Sequence, residues 1–376
     1  MLSARSKLRL TPKQAVTFTL TRQHLAKPAE RPLDVVRHLV AIQAQYAASV
    51  PIVLWARCVS LAQDWLKNAL SETKALVKTW CLRGTVHVLA SADLAIMAQA
   101  VGRQQLGEHE YFMKTRRGID AQAIRRFNKS ILRALARRPL SRSELRKAVP
   151  ELAGIPGSAS WGADVKALAL LGELVFADAD GIESRFARRD VWLPELAWAL
   201  PSEEEAQREL LLRYLSAYGP ATRQDFAHWS GLKMKVAQAI FEACARDLIP
   251  VEVAGWRGDC YVRREDEPLL KTCEEPAAVK LLPKFDPLLM AYTEKTRFIA
   301  EEHLARVYRP AGQVEAVVLL RGRVIATWRA KLESARLRLT CAPFRRLRRG
   351  EQSAITAAAE QLAEFLGARE LSLVVQ

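Results

Sequence analysis

Apolar residues recur with helical spacing at Val35, Val36, Leu39, Val40 and Ile42, behind Pro32 in the first turn, and the stripe runs into two amides, Gln43 and Gln45. Thr11-Pro12 predicts an earlier helix start, and Pro51 opens a third helix through Val53, Leu54, Trp55 and Cys58. A further helix is expected to end near Trp80, after which Leu82–Leu89, with β-branched residues and Gly84, predicts a strand or ribbon. Three helices followed by a ribbon is the order of a winged helix.

The order recurs. A basic helix is predicted over 120–137, the capping-box start Ser141-Arg142-Ser143-Glu144 begins another, and a third covers 160–173. Leu174-Val175-Phe176 and Arg185-Phe186-Ala187 then flank the turn-like Asp178-Ala179-Asp180-Gly181. Pro194, Pro201 and Ser202-Glu203-Glu204-Glu205 mark a boundary. Beyond it come a helix through Tyr218, a short helix to Trp229, the turn Ser230-Gly231, a helix over 232–246, and wing strands at 249–253 and 260–262. From about 276 the texture changes to strands over 278–282, 314–320, 324–328 and 337–340, with Gly322 as a turn signal, a helix over 351–366 and a strand over 371–375.

These elements predict an α+β chain, mainly α, of tandem winged-helix units followed by a C-terminal β-rich module that is either barrel-like or α+β. The expected units are 1–115, 116–200, 201–275 and 276–376.

Composition narrows the function. Half of the 376 residues are hydrophobic, enough to bury cores, yet no uncharged apolar run reaches the ~18 residues of a membrane span. With no apolar leader after Met1, a soluble, cytoplasmic protein is expected. The six cysteines are far apart, without a Cys-x-x-Cys pair, and the histidines are scattered. No metal and no cofactor are therefore expected.

The formal charge is +16. Between Lys114 and Lys147 twelve Lys/Arg residues, among them Arg116, Arg117, Arg125 and Arg126, face only Asp120 and Glu144, a local excess of +10. Arg345 and Arg346 head a second cluster, Arg345-Arg346-Leu347-Arg348-Arg349. Such fields attract polyanions, which points to double-stranded DNA rather than a membrane surface.

In this order the strings Ile42-Gln43-Ala44-Gln45, Leu54-Trp55-Ala56-Arg57, Arg83-Gly84-Thr85-Val86-His87, Tyr218-Gly219-Pro220-Ala221-Thr222, Trp229-Ser230-Gly231, Phe285-Asp286-Pro287 with Tyr292, and Thr327-Trp328 give the chain, over nearly its whole length, a resemblance to a known family. It resembles the winged-helix DNA glycosylases of the AlkZ and YcaQ type. The resemblance implies a monofunctional DNA N-glycosylase of DNA repair that releases N7- or N3-alkylated purines, with Gln43 and Gln45 as catalytic residues. Gln45 stands where the YcaQ-like branch has an acid, so the chain looks closer to the AlkZ-like branch, some members of which unhook interstrand crosslinks. Tyr46 departs from the acidic residue expected after the motif.

On a regular helix residues two apart point about 200° from each other, so the two amides converge only where the helix gives out. They are therefore expected at a helix terminus. Arg83 and His87, on the ribbon, are candidate DNA contacts, with surface charge and a hydrogen-bonded structural histidine as the other readings. Arg116, Arg117, Arg125, Arg126, Arg345 and Arg346 complete the DNA-binding set. Asp286, Tyr292, Trp229 and Trp328 fit structural roles. Three DNA-binding units in one chain suit a monomer. The competing readings are a non-catalytic winged-helix transcriptional regulator, which has no need of the glutamine pair, and a protein-interaction scaffold, which leaves the basic bias unexplained.

Overall fold

The computed structural model describes residues 7–154, 162, 164–177, 184–274, 276 and 278–376, and contacts divide the chain into two compact units. The first takes the described part of Met1–Trp65 with Leu211–Trp229 and Met234–Gln376; the second takes Leu66–Leu210 with Ser230–Lys233.

In the first unit, Leu8–Leu10 pairs in parallel with Leu248–Val253, which in turn pairs antiparallel with Cys260–Arg263. The helix Pro12–Arg22 buries Ala15 and Phe18 against Leu10, Val251 and Val262 of this sheet. Its start is held by a capping box between Thr11 and Gln14, which satisfies two backbone donors that the helix itself leaves open. Farther along the chain, Arg223–Ser230, Met234–Ala243, Leu248–Val253 and Cys260–Arg263 follow in the order expected from the sequence.

The C-terminal residues build a five-stranded sheet in the order Lys280–Leu282, Ala316–Leu320, Arg323–Glu333, Arg336–Pro343, Glu370–Val375. The first three pairings are antiparallel and the last is parallel. A parallel neighbour needs a crossover, and the helix Arg349–Phe365 supplies it, burying Ile355, Ala359 and Leu362 on Val318, Ala326 and Leu339. The sheet stays open. Of the two forms expected for this module, the α+β one holds and the barrel does not.

The second unit has an antiparallel sheet ordered Val86–Ala90, Leu76–Trp80, Leu174–Ala177, Arg185–Arg188, Leu140–Ser141. Residues 76–80 correct the expectation of a helix ending near Trp80. The helix is the shorter Trp65–Ser71, and Leu76, Val77, Thr79 and Trp80 are buried strand residues facing Val86–Ala90. A β-branched and aromatic run buried on both faces has no helical period to follow. The helices Arg103–Arg117, Ala121–Ala134 and Arg142–Ala148 pack around Trp80, Ile124, Ile131, Leu145, Leu168 and Phe186. The helix expected over 160–173 is described only as Lys166–Leu170, and the turn Asp178-Ala179-Asp180-Gly181 lies outside the described residues.

Among the described residues no helix is long and apolar enough to cross a membrane, and no group of three or more metal-ligating side chains occurs.

Candidate active site

The helix Pro32–Leu39 stops four residues before the first glutamine. Val40 has φ 67° and ψ −53°, the centre of a γ-turn closed by the Ala41 N–H on the Leu39 carbonyl at 2.8 Å, rare and strained for a β-branched residue unless its surroundings hold it. Those surroundings are visible. The Tyr218 hydroxyl donates to the Leu39 carbonyl at 2.9 Å, and the Tyr292 hydroxyl donates to the Tyr218 carbonyl at 2.9 Å. Both tyrosines are buried. Arg297 lies over the Tyr292 ring at 4.4 Å and is itself bound to Asp225 at 2.6 Å and to the Pro220 carbonyl at 3.0 Å. The residues shared with the family strings thus brace the end of one helix.

Past Val40 comes a two-residue strand, Ile42–Gln43, followed by a bend at Gln45 and Tyr46. The glutamines therefore lie beyond the helix terminus rather than at it. The two side chains nevertheless meet. The Gln43 Nε2 donates to the Gln45 Oε1 at 3.4 Å, a long contact at the edge of hydrogen bonding. Gln43 is buried at 8 % exposure, and Gln45 is exposed. One amide is anchored in the protein, and it presents the other to solvent.

Tyr46 continues the segment and is 43 % exposed. Its ring stacks on Phe285 at 5.2 Å, its hydroxyl donates to Gln313 at 3.0 Å, and the Lys284 ammonium lies 5.8 Å from its centroid. On the other side of the following helix, Ser49–Trp55, Arg57 is fully buried and forms a two-pronged pair with Asp286, Nη2 to Oδ1 at 2.7 Å and Nη1 to Oδ2 at 2.9 Å. Residues 46–57 are thereby fastened at both ends to Phe285-Asp286. Sequence reasoning treated Asp286 as structural and overlooked Arg57 as its partner. The available signal was a single arginine within the apolar run Val53–Cys58.

Arg83 and His87 belong to the second unit. Arg83 sits at the tip of the 76–90 hairpin with φ 55° and is partly exposed. Its turn is tightly held: the Gly84 N–H donates to Gln105 at 2.9 Å, and a Cβ on Gly231 would come within 2.9 Å of the Arg83 Cα. His87 is 2 % exposed, its Nδ1 is 2.9 Å from the Thr85 carbonyl, and burial, with Arg83 nearby, pushes its imidazole down to about 3. A neutral, buried ring offers no charge to a phosphate, which is the geometry of the structural reading.

Arg116 closes the helix Arg103–Arg117 together with half-buried Arg117, and Arg125 and Arg126 follow on the outer face of Ala121–Ala134. Arg116, Arg125 and Arg126 are exposed, whereas Ile124 and Ile131 of the second helix are buried. The lone acid at the far end, Glu144, is consumed by its own helix start and by Arg138 and Arg185, and its carboxyl is held down at about 2, first by the Ser141 N–H and then by Arg138. In the first unit Arg345 is committed to Glu351 by two contacts of 2.7 Å, while Arg346 is exposed.

The segment thus carries a pair of neutral amides in contact, and what such carbonyl oxygens can do is dipolar: orient a water and stabilise positive charge.

The family model described as DNA glycosylase AlkZ-like matches residues 36–365. The interstrand DNA cross-link repair glycosylase of Streptomyces sahachiroi is 26% identical over 335 residues, covering 84% of this chain and 87% of that protein. The solved structure of the DNA glycosylase AlkZ of the same organism superposes with a TM-score of 0.84 at 24% identity, over 98% of this chain and 100% of that one.

Proposed function

The chain belongs to the AlkZ-like family of DNA glycosylases, and from that premise we propose that this DNA repair enzyme hydrolyses the N-glycosidic bond of N7- or N3-alkylated purines in double-stranded DNA. Alkylation at either position gives the base a positive charge, so it leaves without being protonated first. A weak, uncharged catalytic pair then suffices. Gln45 accepts a hydrogen bond from the attacking water and places its oxygen beneath C1′. The C1′–N bond breaks, its electron pair neutralises the cationic base, the water oxygen bonds to C1′, and the released proton passes to solvent. The Gln45 carbonyl dipole stabilises the oxocarbenium-like sugar, and Gln43 orients that amide through its Nε2.

The observation that carries this reading is the contact between the Gln43 Nε2 and the Gln45 Oε1, which brings the two amides together. A non-catalytic regulator would bind DNA through the same basic surfaces but has no use for such a pair. The relative named for interstrand cross-link repair extends the proposal to bulky N7-linked crosslinks. The enzyme works in the cytoplasm as a monomer and leaves an abasic site without cutting the strand.

The test is incubation with duplex DNA carrying N7-methylguanine or an N7-linked crosslink, followed by alkaline cleavage at abasic sites. Base release is expected from wild type and is lost in Gln45→Ala, with duplex affinity retained. Tight DNA binding without release from either substrate overturns the reading.

A further inference from the structure

The helix Arg103–Arg117 carries two features that neither its fold nor the glutamine site uses. Tyr111 is 71 % exposed and Phe112 is 43 % exposed. Both precede the basic turn Lys114, Arg116 and Arg117, and the Arg117 guanidinium lies 6.0 Å from the Phe112 ring. One turn before Tyr111 stands Gly107, where an added Cβ would meet nothing within 4 Å.

A glycine inside an exposed helix weakens it, and one kept for close packing has a neighbour against it. Gly107 has none. Residues four apart share a helix face, so Gly107 and Tyr111 lie on the same side of the helix, and the surface at Gly107 is open. The missing side chain leaves an opening beside an exposed aromatic, past Glu108 and Glu110 and just before the most basic stretch of the chain, which begins at Lys114.

We propose that Gly107, Tyr111 and Phe112 form a stacking platform for an unpaired nucleobase, whose phosphates are held by Lys114, Arg116 and Arg117. Charge complementarity selects a polyanion, and the open aromatic face selects one with planar groups free to stack. DNA with an extrahelical base meets both conditions. A fully paired duplex meets only the first, since its bases stack on one another. The inference rests on the DNA-binding reading above and adds a contact that distinguishes distorted from intact duplex.

The experiment uses the full chain and two duplexes, one fully paired and one with a single bulged 2-aminopurine, whose fluorescence falls when it stacks on an aromatic ring. Wild type is expected to bind the bulged duplex about tenfold more tightly, within the range of base–aromatic stacking, and to quench the probe. Tyr111→Ala removes both effects. Gly107→Leu, which favours the helix while filling the opening, removes them too and raises the melting temperature. In each variant the affinity for paired duplex and the release of N7-methylguanine stay at wild-type values. Quenching that survives Gly107→Leu and Tyr111→Ala, with paired-duplex binding intact, overturns the platform alone; failure of wild type to bind either duplex overturns the DNA reading beneath it.

Discussion

Arg57 and Asp286, 229 positions apart, form a fully buried two-pronged ion pair that ties the segment behind the glutamine motif to the Phe285-Asp286-Pro287 turn. Arg57 also donates to the Val53 carbonyl at 3.2 Å, and Asp286 also accepts from the Leu288 N–H at 3.0 Å. Both charges are therefore paired and hydrogen-bonded, the condition under which burial is tolerated.

Removing one partner strands the other. Arg57→Met is expected to cost about 3–5 kcal/mol in urea denaturation, because the Asp286 carboxylate stays buried without its counter-charge. Adding Asp286→Leu recovers most of that loss, leaving about 1 kcal/mol for the missing cap on Leu288. Equal stability of the single and double variants would mean that the pair is not the element holding this turn.

Tyr218 acts on the same segment from its other end. Tyr218→Phe deletes the donor to the Leu39 carbonyl, which still accepts from the Ala41 N–H at 2.8 Å, so the stability cost is only about 1 kcal/mol. Base release in single turnovers is expected to fall about tenfold, a loss of ~1.4 kcal/mol of transition-state stabilisation, with duplex affinity unchanged. The γ-turn at Val40 that precedes Gln43 loses its brace. Parallel losses in stability and rate with no separation between them would argue for a purely structural tyrosine.

Two histidines set an acid limit. Burial pushes His87 down to about 3, with Arg83 adding to it, and pushes His24 down to about 4, helped by His38, whose Nδ1 is 2.6 Å away. Both folded values lie below the unfolded value near 6.5, so the folded state binds fewer protons than the unfolded chain. Their contribution to stability is complete above about 6.5 and is lost as pH falls through 4 toward 3. The melting temperature is expected to drop from pH 6.5 to 4, less steeply in His87→Asn. The rate of base release is expected to be flat from pH 6.5 to 8, since amides do not titrate there; a sigmoidal profile would demand a general base that the glutamine pair does not supply.

The basic helices predict a salt effect. If Arg116 and Arg126 each neutralise one phosphate, Arg116→Gln with Arg126→Gln lowers the slope of log affinity against log salt by roughly 1.8, at about 0.9 per contact, with no change in sequence preference. A loss confined to one DNA sequence would indicate base readout instead.

Much of this molecule is written in short-range signals. The capping boxes at Thr11 and Ser141, the strand-rich C-terminal texture, the amphipathic basic helix and the glutamine pair all depend on residues within a few positions of one another. Residues 76–80 were misread because a strand buried on both faces loses the alternation that would identify it. His87 was legible as a histidine on a ribbon, but not as a buried one.

By itself the sequence determined the mainly α, α+β class, the concentration of positive charge and the presence of two amides shortly after an apolar helix. Only the tertiary structure decided that those amides meet each other, that Arg57 meets Asp286 and that Tyr218 braces Leu39. The physical reason is distance along the chain. Helical period, caps and charge runs act over a few residues, whereas a buried charge or hydroxyl finds its partner 179 or 229 positions away, where no local pattern specifies the match.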